Sequence, residues 1–142
     1  MIAGIASLVF VPLLAIAMIH VMWAFGSTWP THDQKNLART VLGYRDVERM
    51  PSRLLSALVA VFTLTAGIWA LSLSGTEQDP VLVGGGILLG LIFLARGIAG
   101  YTSWWRNLTP QEPFATFDKK FYAPLCIGIG LGFLFLTFWR FQ

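Results

Sequence analysis

The residues with chemistry to offer are few, and each interrupts an otherwise apolar chain. Arg96 lies inside the apolar run from Val81 to Tyr101. A guanidinium near the membrane centre carries a penalty of ~2.5–3.5 kcal/mol on insertion scales, so such an arginine marks a functional candidate and calls for a partner. The competing placement is a side chain that snorkels to the interface. His20 sits five residues before Phe25, at the end of a first apolar run. That puts it at a depth similar to Arg96, as hydrogen-bonded structure or as an acid or base. Asp118, Tyr122 and Cys126 follow one another at four-residue steps, which predicts one helical face for all three. A charge-assisted contact from Arg96 to Asp118 would satisfy the guanidinium and pin the third apolar run to the fourth. With Trp23 and Tyr101 as aromatic walls, these residues are the candidate ligand-binding set. Arginine, histidine, tyrosine and aromatic walls near one surface suit a pocket for an amphipathic molecule with an anionic head.

Nothing in this set names a reaction. No Asp or Glu lies deep in an apolar run, as a proton-coupled antiporter would need, and no lysine is placed for a Schiff base. A second histidine at the depth of His20 is missing, which excludes haem held between two histidines of one chain and leaves a single axial His20 open. Cys126 is the lone cysteine, so neither an intrachain disulfide nor a cysteine-rich metal site can form. Cofactors and catalytic residues stay undetermined, and no metal is expected.

The elements that must position these residues are four spans, about 2–25, 54–73, 81–101 and 121–141, each near the ~20 residues that cross ~30 Å of hydrocarbon. In a chain of 142 residues they leave no room for a separate soluble domain. The expected architecture is an all-α membrane protein, one four-transmembrane-helix bundle over residues 1–142. A 56% hydrophobic content, 12% charge and mean hydropathy of +0.67 agree. The pI of 9.4 is no nucleic-acid signal. Eight of the ten Lys and Arg fall on one side: Lys35, Arg39, Arg45, Arg49 and Arg53 between the first two spans, and Arg106, Lys119 and Lys120 between the last two. The loop from Ser74 to Pro80 carries Glu77 and Asp79, and Arg140 ends the fourth span. The positive-inside rule then makes the basic loops cytoplasmic and puts both termini on the outer side; the bacterial cytoplasmic (inner) membrane is the expected location, its bacterial part implied by the resemblance given below. The first span is expected to be retained rather than cleaved, because no basic residue precedes it and its apolar stretch exceeds a signal core.

Thr31 followed by Gln34 reads as a capping box for a short amphipathic helix with Leu37, Ala38 and Val41 on its apolar stripe and Gly43 as its stop. It would lie on the inner leaflet, with Lys35, Arg39 and Arg45 toward anionic headgroups. Pro51 is placed in the first turn of the second span. Thr109-Pro110-Gln111-Glu112 reads as the start of a short helix or turn, and Pro124 either begins or kinks the regular helix of the fourth span. Trp23, Trp29, Trp104 and Trp105 at one end, with Trp69 and Trp139 at the other, read as interfacial belts. Small faces predict how the spans pack: Gly86, Gly90, Gly97 and Gly100 on the third, Gly128 and Gly132 on the fourth, Ser56, Ala60, Thr63, Gly67 and Ala70 on the second, and Ala17 and Ala24 beside His20 on the first.

Several strings carry a family resemblance. They are Arg96-Gly97-Ile98-Ala99-Gly100, Phe114-Ala115-Thr116-Phe117-Asp118, Phe121-Tyr122-Ala123-Pro124-Leu125-Cys126, and His20-Val21-Met22-Trp23-Ala24-Phe25-Gly26. Together the chain resembles a family of small bacterial four-helix membrane proteins, domain of unknown function 3995, over nearly its whole length. Tyr101 stands where that family often has an acid. The resemblance implies a four-helix bacterial membrane protein and brings no activity with it. A weaker similarity, carried by Arg96 with Gly100-Tyr101, is to the membrane-associated eicosanoid and glutathione enzymes, whose acid-and-asparagine motif on the second helix is missing here. Three functions follow as expectations. The first is binding of a lipid-like or amphipathic small molecule in a polar pocket near the cytoplasmic side. The second is an enzyme acting on a lipophilic substrate, with His20 as acid or base and Arg96 holding an anion. The third is a structural subunit of a larger membrane complex. Membrane lipids, and a homo-oligomer or such a complex, are the expected partners.

Overall fold

A computed structural model describes residues 1–75 and 79–140; Glu77 and the expected end of the fourth span at Phe141 lie outside them. All regular elements among the described residues are helical: α1 (Ile2–Ala24), α2 (Gln34–Val41), α3 (Arg53–Ser72), α4 (Pro80–Ala99), α5 (Ser103–Leu108), α6 (Phe114–Phe117), a π turn (Asp118–Tyr122) and α7 (Ala123–Trp139). Four stretches are long and apolar enough to cross a membrane: Ile2–Ala24, Arg53–Ser72, Pro80–Ala99 and Phe114–Trp139. The protein is thus a multi-pass, four-helix membrane protein. The fourth span starts earlier than the expected 121, because α6, the π turn and α7 run on from one another.

Helix ends follow local chemistry. Asp79 and Ser52 cap α4 and α3, their side chains accepting from Val81 and Leu55 backbone N–H groups, with Pro80 in the first turn of α4. Pro51 therefore precedes the cap of the second span instead of entering its first turn. Gly26, at φ +92°, closes α1 by a Schellman motif in which Gly26 N–H donates to Trp23 O and Ser27 N–H to Met22 O.

The bundle is built from two closely packed antiparallel pairs, α1 with α3 and α4 with α7, joined mainly where α7 also touches α1. Without a hydrophobic force between helices in lipid, close approach of small residues supplies the packing. In the first pair Ser56, Ala60, Thr63, Gly67 and Ala70 are buried, and a Cβ at Gly67 would meet Phe10 at 3.0 Å. In the second pair α4 and α7 cross at Gly90 and Gly130: a Cβ at Gly90 would lie 2.8 Å from Leu134 and 3.2 Å from the Gly130 carbonyl. Gly128, expected on the packed face, has nothing near it, and Gly132 meets Val9 of α1 instead of α4. Ala123, Ile127, Gly130, Leu134 and Thr137, at steps of four and three, make the actual seam against α4. A common core of Val9, Leu13, Ala66, Phe93, Ile129 and Phe133 fills the centre.

The connections at one end dock on each other. There α2, whose Leu37 and Ala38 are fully buried, packs on α6. Gln111 N–H donates to Gly43 O at 3.0 Å, and Phe114 lies across Gly43, whose φ of +70° suits a helix stop. The apolar stripe of α2 is thus covered by the chain itself. Its cap is Asp33 rather than Thr31: the carboxylate accepts from Asn36 N–H at 2.8 Å, and that bond holds the Asp33 carboxyl below its ordinary range. Lys35 pairs with Glu48 at 2.7 Å. Thr109 ends α5 instead of starting a helix, its hydroxyl bonded back to Trp105 O. Glu112 meets the Thr116 N–H of α6 at 3.2 Å. At the opposite end Trp69 donates to Leu82 O at 2.9 Å, and Arg140 donates to the carbonyls of Ser72, Leu73 and Gly75.

Candidate functional site

Asp118 is the centre of the polar end. It opens the π turn, and the cause of that turn is written two residues past its end: Pro124 has no N–H to give the Lys120 carbonyl, and the Ala123 N–H reaches back five residues to Asp118 O. The extra residue changes which side chain stacks over Asp118. Ala123, fully buried, takes that place beside Gly97 and Gly100. Tyr122 instead turns to α2, its hydroxyl donating to Thr40 O at 3.3 Å and its ring packing on Phe114 and Phe117. The four-residue face expected for Asp118, Tyr122 and Cys126 is broken by this turn, whose period exceeds 3.6.

The Asp118 carboxylate has no exposed surface and takes three donors. Arg96 Nη2 donates to Oδ1 at 2.7 Å, Trp105 Nε1 to Oδ2 at 2.9 Å, and Arg106 Nη2 also to Oδ2. Arg96 lies 4.6 Å over the Trp105 ring, a cation–π contact. Arg106 further donates from Nη1 to Ala115 O at 2.9 Å. Gly100 keeps the approach open, since a Cβ there would stand 3.3 Å from Asp118 Oδ2. Two cations on one carboxylate leave one positive charge in excess. Arg96 is 31% exposed, and its Nη1 is enclosed without a hydrogen bond.

The structure therefore brings together Arg96 and Asp118, with Tyr101 close by through its hydroxyl, which donates to Lys119 O at 3.0 Å. Cys126 is half-buried against the core. His20 and Trp23 belong to a different place. His20 Nδ1 bonds to Ile16 O at 2.8 Å, which requires a proton on Nδ1, and its ring meets Trp23 edge-on at 4.7 Å. Trp23 donates to Trp29 O at 2.7 Å. Among the described residues no hydrogen bond or ring contact joins His20 to Arg96 or Asp118. Trp105 and Arg106 are the two members of the Asp118 cluster that sequence reasoning missed, one taken for a belt anchor and the other counted as loop charge. The available signal was Thr102, whose hydroxyl caps α5 by accepting from Trp105 N–H and so turns both side chains back toward the bundle.

A cavity of about 430 Å³ opens between the end of α1 and the start of α3, lined by Trp23, Ser27, Arg49, Ser52, Arg53 and Ser56 among others. No group of three or more His, Cys, Asp or Glu among the described residues could hold a metal ion.

No curated protein and no solved structure shows significant similarity to the chain. Residues 13–133 match the family described as "Protein of unknown function (DUF3995)", and the matched segment contains all four apolar spans in whole or part, the Asp118 cluster and His20. The chain belongs to that family.

Proposed function

We propose that this protein binds an amphipathic small molecule with an anionic head at the end of the bundle where α2, α5 and α6 lie. The observation that carries the reading is the excess cation at Asp118: one buried carboxylate faces two arginines, and each of these keeps an enclosed nitrogen without a hydrogen bond, Nη1 of Arg96 and Nε of Arg106. Basic residues crowd the same end, from Lys35 to Arg53 and from Arg106 to Lys120. By the positive-inside rule that end faces the cytoplasm and both termini face outward; the bacterial inner membrane, the setting implied by the family resemblance, is the proposed location. Native mass spectrometry of the full chain in detergent, with phosphatidylglycerol and phosphatidylcholine added in turn, tests the binding. Retention of a defined number of phosphatidylglycerol molecules supports it. Equal and non-stoichiometric retention of both lipids sinks it.

A structural subunit of a larger membrane complex is the second reading, favoured by the way Asp118 ties α4, α5 and the fourth span together. A protein that retains no lipid and migrates as part of a larger assembly in native membranes would bear that reading out.

A further inference from the structure

We infer that the cavity between α1 and α3 is the seat of a phosphate-bearing head, with Arg49 and Arg53 as its ligands. The lining holds these two guanidiniums, three serines at 27, 52 and 56, and no carboxylate. Of the acids at that end, Asp33 bonds to Asn36, Glu48 to Lys35, Glu112 to the Thr116 N–H and Asp118 to Arg96 and Arg106, while Asp46 does not line the cavity. Arg49 and Arg53 have no hydrogen-bond or ion-pair partner among the described residues, so two guanidiniums stand at one opening with no carboxylate in its lining, the charge that acts on Arg49 being that of Glu48 outside it. Guanidinium forks match tetrahedral oxyanions, and serine hydroxyls complete such sites.

Space for the Arg53 head is made by the Schellman glycine. A Cβ at Gly26 would lie 2.8 Å from Arg53 Nη2, and the φ of +92° disfavours any other residue. The Arg53 guanidinium thus lies against the end of α1. A volume of about 430 Å³ falls within the ~300–1,000 Å³ of small-molecule sites. The cavity also sits where two spans end, beside Leu54, Leu55 and Leu58 of α3, which are 69%, 48% and 56% exposed. An apolar tail can run along that strip while the phosphate stays at the arginines. This assigns the head as a phosphate ester of a lipid, held at an opening separate from the Arg96–Asp118 cluster, and it rests on the reading that the protein binds an anionic amphiphile at this end of the bundle.

The same native mass spectrometry, applied to variants, tests the assignment. Arg49→Gln/Arg53→Gln should weaken phosphatidylglycerol retention by about tenfold or more. Lys119→Gln/Lys120→Gln removes equal charge from the same end and should leave retention near wild type. If both double variants lose retention equally, diffuse charge is the cause and the site is overturned, as it is if Arg49→Gln/Arg53→Gln binds like wild type while wild type still prefers phosphatidylglycerol. Wild type showing no preference would instead remove the broader reading. Millimolar inorganic phosphate that displaces the lipid in an arginine-dependent way would move the assignment to a free phosphate.

Discussion

Asp118→Ala is expected to be among the most destabilising single changes at the polar end. The carboxylate is fully buried and accepts from Arg96 at 2.7 Å, from Trp105 at 2.9 Å and from Arg106. Its removal leaves two guanidiniums facing one another with no counter-charge and an indole N–H with no acceptor. Taking one partner from a buried ion pair costs ~3–5 kcal/mol. Arg96→Ala is milder, because Asp118 keeps Arg106 and Trp105, and because the Arg96 side chain, 31% exposed, works in partly screened surroundings; ~1–2 kcal/mol is expected. Once Asp118 is gone, deleting Arg96 also removes a repulsion, so the double variant should fall short of the sum by ~1–2 kcal/mol. Equilibrium unfolding of the purified chain in detergent, followed by far-UV circular dichroism, gives the four free energies of the cycle. Asp118→Asn separates charge from shape, since it keeps one acceptor oxygen but turns an NH₂ toward donors. Effects that add within ~0.5 kcal/mol, or an Asp118→Ala cost below ~1 kcal/mol, would refute the clamp.

Gly90→Leu should disrupt the α4–α7 crossing, where even a Cβ would stand 2.8 Å from Leu134; Leu88, 60% exposed, should tolerate alanine. Thermal stability in detergent compares them, and equal tolerance would show that this face does not pack. For topology, reporter fusions at the C-terminus and within residues 34–49 should report opposite sides, the latter cytoplasmic. A cytoplasmic signal from the C-terminal fusion would overturn the assigned orientation.

The pairing of Arg96 with Asp118 is legible in the sequence because depth and the cost of an unpaired guanidinium leave few partners in so apolar a chain. Trp105 and Arg106 are not, since a six-residue helix carries too little periodicity to show which way its side chains turn. The family resemblance, carried by strings from His20 to Cys126, agrees with the match over residues 13–133. The expected Gly128 and Gly132 face holds only at Gly132, which packs on Val9 of α1, and fails at Gly128: spacing identifies small pairs, but a helix with three glycines at 128, 130 and 132 offers several, and only the partner surface selects among them.

Hydropathy and length by themselves determined four spans and their number, because ~20 apolar residues have one stable home. Charge placement along the same sequence marked one end as basic. Tertiary structure alone decided the rest of the polar geometry. The π turn at Asp118–Tyr122 inserts one residue into the helical period, so every face projected through it at 3.6 residues per turn is rotated, and Ala123 rather than Tyr122 stacks above the aspartate. Likewise His20 and Arg96 share a depth in the sequence yet sit on different helix pairs, since depth is set by counting residues along one span while proximity is set by which spans touch.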